Sequence, residues 1–124
     1  MNYIQDIIDE FNNEFYPVKL QWVNMHYNMG NMKSANWQPE KPVDKKYSVL
    51  GLPIGPTGIS THNFRIGDQA ASLALILADI LDISEDEAFA LTDEYKRISI
   101  DFRDDSMMYY VFPNLSYEFL TNLQ

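Results

Sequence analysis

The apolar residues of this chain switch back and forth between helical and strand spacing, and that alternation narrows its possible folds more than any other feature. Ile4, Ile7, Ile8, Phe11 and Phe15 recur at the interval of one helix face, with Asp6, Asp9, Glu10 and Asn13 opposite, and Pro17 ends the segment. Val18, Leu20 and Trp22 then alternate with Lys19 and Gln21, the two-residue period of a half-buried strand. The apolar parity shifts at Val23, Met25 and Tyr27, which predicts a β-bulge near Trp22 and Val23. Residues 28–46 are polar, contain Gly30, Pro39 and Pro42, and read as a long loop.

Residues 47–52 read as a second strand, antiparallel to the first, and the GLPIGPTG run that overlaps its end is expected to have no regular structure. A helix over about 67–81 has apolar residues on nearly every side and is expected to be buried all round. Ser84 followed by Glu87 is a capping box, in which the Ser hydroxyl accepts from the Glu amide and the Glu side chain reaches back. That helix is expected to run to about Arg97, with Lys96 and Arg97 suiting its C-terminal dipole. Ile98, Ile100 and Phe102 alternate with polar residues, and Asp104-Asp105-Ser106 turns the chain into residues 107–112 as a hairpin. Pro113 and Asn114 are expected to open a terminal helix carrying Leu115, Phe119, Leu120 and Leu123.

The expected order is therefore α-β-β-α-α-β-β-α, an α+β fold with a four-stranded, largely antiparallel sheet and helices packed on one face. A chain of 124 residues supports one hydrophobic core, so residues 1–124 are read as a single domain. The order is similar to that of class I type III secretion chaperones, a fold-level resemblance that implies a small acidic domain that dimerises and holds partner segments. The absence of cysteine excludes disulfides, thiolate metal sites and Cys nucleophiles. The acidic N-terminal segment lacks the basic and apolar regions of a secretory signal, so the expected location is cytoplasmic.

Charge narrows the function classes. The net charge is -9, from 18 acids against 9 bases, which argues against direct nucleic-acid binding and against an anionic membrane surface. Residues 1–62 hold 6 acids and 5 bases, whereas residues 63–124 hold 12 acids and 4 bases. Ten acids fall between Asp79 and Asp105, and Asp86, Glu87, Asp93, Glu94, Asp101, Asp104 and Asp105 are the candidates for a partner-binding face. Such a cluster also serves a solvated face that keeps a protein soluble. Met29, Met32 and Trp37 add soft apolar surface that could repack on a partner or fold back over the core.

Chemistry-bearing patterns are sparse. Asp82, Ser84, Asp86 and Asp93 imitate a calcium loop, but Glu87 stands where that loop requires glycine, and the capping box accounts for the same residues. The two histidines, His26 and His62, have no partner at metal spacing, and no nucleophile elbow surrounds any serine. No metal, cofactor or enzymatic activity is expected.

The leading expectation is thus a non-enzymatic protein-binding module. It would be an inhibitor, antagonist or immunity-type (anti-defence) protein docking on a basic surface of a partner, one that ordinarily meets nucleic acid. An alternative is a small-ligand binder, for a nucleotide or anion, or an enzyme built on the uncharged loop 51–63, with Gly55, Gly58, Thr61, His62 and Arg65 at its mouth. Further alternatives are a secretion-type chaperone and a phage structural subunit. The aromatics near the C-terminus would suit a homodimer interface or the core.

Overall fold

A computed structural model describes residues 3–24, 47–55, 65–102 and 105–123. The elements are α1 (Tyr3–Glu14), β1 (Gln21–Asn24), β2 (Ser48–Gly55), α2 (Ile66–Leu81), α3 (Glu85–Asp93), β3 (Lys96–Phe102), β4 (Asp105–Ser116) and α4 (Tyr117–Asn122). The four strands form one sheet in the order β1-β2-β4-β3, with every neighbouring pair antiparallel. The α+β order read from periodicity is the order found. Among the described residues no helix is long and apolar enough to cross a membrane.

The buried helix faces follow the helical spacing of apolar residues in the sequence. Ile4, Ile7 and Phe11 of α1 and Leu73, Ala74 and Leu77 of α2 are buried in one cluster with Trp22, Leu50, Leu52 and Phe112 of the sheet. These strand residues share a parity, with Trp22 opposite Leu50 and Leu50 opposite Phe112, so the helices cover one face. Tyr95, between α3 and β3, closes the layer with edge contacts to Tyr110 and Phe112 at 5.9 and 6.3 Å. At the edge of the sheet, the Asn12 side-chain oxygen accepts from the Leu20 N–H at 2.6 Å while its amide donates to the Leu20 carbonyl at 3.3 Å. This side chain satisfies the backbone groups of Leu20, the residue that leads into the edge strand β1.

Several boundaries differ from the sequence expectation. The register of β1 against β2 is unbroken from Gln21 to Asn24, so the expected bulge at Trp22 and Val23 is absent. The parity switch has another cause: Trp22 faces the helices and Val23 the opposite side, and both are buried, at 4% and 0% exposure. A strand buried on both faces loses its polar alternation. The irregularities lie instead between β2 and β4, at Val49/Leu50 and Pro53/Gly55.

The run Gly51–Gly55, expected to be irregular, is the second half of β2. Pro53 is accommodated beside a register shift, where a missing amide costs least. α3 stops at Asp93, and Lys96 and Arg97 belong to β3, paired with Val111 and Tyr110. Pro113 and Asn114 lie within β4, and α4 begins only after Ser116, whose hydroxyl accepts from the Phe119 amide at 3.1 Å. α2 is not buried all round, since Asp68, Leu75 and Asp79 are exposed along one side. The expected loop 28–46 and the turn residue Asp104 lie outside the described residues.

Candidate functional site

The charge of the helices is one-sided. α1 carries Asp6, Asp9, Glu10 and Glu14, α2 carries Asp68 and Asp79, and α3 carries Glu85, Asp86, Glu87 and Asp93, all exposed. None of these helices contains a Lys or Arg. Among the described residues, the bases Lys19, Arg65, Lys96 and Arg97 all lie outside helices.

Position along each helix separates structural acids from the rest. Glu85, Asp86 and Glu87 occupy the first turn of α3, where the dipole favours negative charge. Ser84 completes the cap: its hydroxyl accepts from the Glu87 amide at 3.1 Å and donates to Glu87 Oε1 at 3.1 Å. The Glu87 carboxylate therefore reaches the Ser84 hydroxyl, a variation on the expected return to its amide. Glu94, at the C-cap of α3, accepts from the Asn114 side-chain amide at 3.2 Å and so links that helix to β4.

Asp6 and Asp68 likewise lie in the first turns of α1 and α2, but three other acids sit at the wrong pole. Glu14 closes α1, Asp79 lies in the last turn of α2, Asp93 closes α3, and no last turn holds a base. Each such carboxylate faces the negative end of its own helix, at a cost of about 0.3–1 kcal/mol at low salt. Local helix stability therefore accounts for the acids that open the three helices and leaves those that close them unexplained.

Two of the terminal acids share a concavity. Glu10 and Glu14 of α1 and Ser72, Leu75, Ile76 and Asp79 of α2 line a groove of about 270 Å³ between the helices. Its lining mixes the apolar Leu75 and Ile76 with Ser72 and three carboxylates. Leu75 is 50% exposed, one of three large hydrophobic residues standing in solvent among those described, with Tyr16 and Leu123. Along α2, Asp68, Ser72, Leu75 and Asp79 follow intervals of three or four residues and so lie in one line. Among the described residues no group of three His, Asp or Glu side chains is arranged to hold a metal ion.

The sequence-derived candidates are distributed unevenly. Asp86, Glu87, Asp93 and Glu94 are exposed on α3 or its cap. Asp101 and Asp105 stand on adjacent strands, opposite Ser106 and Phe102 respectively. Gly55 ends β2, and Arg65 is the exposed N-cap residue of α2, making no side-chain capping bond. Asp104, Met29, Met32, Trp37, Gly58, Thr61 and His62 lie outside the described residues. Sequence reasoning passed over Glu10, Glu14 and Leu75. The in-line spacing of Leu75 with Asp68 and Asp79 was the available signal, masked by the general apolarity of α2. Compared with protein-family models, curated proteins and solved structures, the chain matches none.

Proposed function

We propose that this protein is a non-enzymatic binding module whose acidic helical layer docks on a basic surface of a partner protein, in the manner of an inhibitor or immunity-type protein. The observation that carries the reading is the placement of Glu14, Asp79 and Asp93 at the negative ends of three base-free helices. Negative charge that opposes local stability is well suited to attracting a positive partner, because it raises the field where the helix dipoles already contribute. A partner surface that ordinarily meets nucleic acid has the complementary chemistry, and association steered by charge is fast and salt-sensitive.

The test is to capture partners from the native host, identify them by mass spectrometry, and measure the affinity of the purified pair against ionic strength. Wild-type affinity should fall as salt rises. Reversal of Asp86 and Asp93 to Lys should weaken it about tenfold or more, equivalent to about 1.4 kcal/mol. An affinity indifferent to both salt and charge reversal overturns the reading.

A further inference from the structure

We propose that the groove between α1 and α2 is the point at which this acidic layer grips its partner, seating a Lys or Arg side chain from a basic, amphipathic segment of that protein. The inference rests on the binding function proposed above and names the place and the occupant. Its volume, about 270 Å³, falls below the roughly 300–1,000 Å³ typical of small-molecule sites, and suits a protruding side chain better than a metabolite. Its chemistry is divided in the way a long cationic side chain is divided. The half-exposed Leu75 offers apolar contact for the methylene stem, while Glu10, Glu14 and Asp79 line the same groove with carboxylates from two helices.

Glu14 and Asp79 also lie in the last turns of their helices, so the dipoles add to the negative potential there. An anionic ligand such as a nucleotide would be repelled from this groove. A bare divalent ion fits poorly too, since the three carboxylates form no metal-holding group. Tyr16, 80% exposed and two residues beyond Glu14, supplies an aromatic side chain of the kind that anchors protein interfaces.

The probe is a fluorescent amphipathic peptide built from Leu and Arg, with its Leu and Glu counterpart as control, titrated by anisotropy against the full chain. The Leu-Arg peptide should bind and the Leu-Glu peptide should not. Leu75→Ser, which changes no charge, and the isosteric pair Glu14→Gln with Asp79→Asn should each weaken binding about tenfold. Glu118→Gln on α4, an exposed acid outside the groove, should change it by less than about twofold. Matching circular dichroism spectra would establish that the variants are folded. The proposal is overturned if the wild type fails to bind the Leu-Arg peptide, if Leu75→Ser leaves binding unchanged, or if Glu118→Gln weakens it as much as the groove variants do. In the last case the acidic layer still binds basic partners, so the broader function survives the loss of the groove.

Discussion

Gly51 in β2 lies directly against Val23 in β1: a Cβ built at residue 51 would stand 2.8 Å from Val23 Cγ2, with Val111 Cγ1 at 3.2 Å and the Tyr110 carbonyl oxygen at 3.3 Å. The missing side chain is what lets the flanking strands bring Val23 and Val111 together over the central strand. Gly51→Ala should therefore destabilise the fold by about 1–3 kcal/mol, the usual cost of overpacking, even though alanine is the better residue for an unfolded-state argument. Urea denaturation checks this. The double variant Gly51→Ala with Val23→Ala should recover part of the loss if the contact is the cause.

Asp82 terminates α2 in the left-handed region, at φ 55° and ψ 48°, and its own amide and that of Ile83 both donate to the Ala78 carbonyl. Only glycine adopts that conformation without strain, and here an acid also sits at the negative end of the helix. Asp82→Gly should raise stability by about 0.3–1 kcal/mol, the scale of the charge–dipole repulsion it removes. Asp82→Val should lower it by about 1–2 kcal/mol, since a β-branched side chain clashes there. Thermal unfolding of the two variants should move the midpoint in opposite directions.

Tyr109 is buried on the sheet face away from the helices, where desolvation raises the pKa of its phenol and a hydrogen bond with the Gln21 side chain lowers it by less. The unfolded chain ionises this group near its ordinary value of 10.0, whereas the folded chain keeps it protonated to higher pH. Stability from this residue is thus fully present below pH 10 and is lost as pH rises above it. Tyr109→Phe should flatten the fall in urea midpoint as pH rises above about 10. A wild-type slope retained in the variant would assign the effect to other tyrosines.

Acids at the ends of α1 and α3 should trade stability for recognition. Neutralising Glu14 and Asp93 to Gln and Asn should stabilise the isolated protein by about 0.3–1 kcal/mol each at low ionic strength, with the gain shrinking in high salt. The same variants should not improve partner affinity. Parallel denaturation series at two salt concentrations measure the first effect directly.

The parts that were legible are those governed by local rules. Ile4, Ile7 and Phe11 mark a buried helix face by spacing alone, and the Ser84–Glu87 pair marks the start of α3 because capping needs only residues three apart. The parts misread are those where long-range pairing overrides local preference. Lys96 and Arg97 suit a helix end, yet Val111 and Tyr110 draw them into β3. Pro113 and Asn114 suit a helix start, yet the register shift between β2 and β4 absorbs them within a strand. The groove was illegible for the same reason. Dividing the charge by chain position assigned the first half near-neutrality and hid the fact that Glu10 and Glu14 would pack beside Asp79, more than sixty residues away.

What this sequence determines by itself is the order of its elements, the inner face of α1 and the excess of carboxylates, because periodicity, capping and composition act over one or two turns of chain. Which carboxylates gather is decided only when α1 packs on α2. That packing is driven by burial of Ile4, Ile7 and Phe11 against the core, and it carries Glu10 and Glu14 to the groove they share with Asp79 as a geometric consequence. The hydrophobic effect that builds the core is indifferent to their charge, so only the tertiary fold determines where the negative field is concentrated.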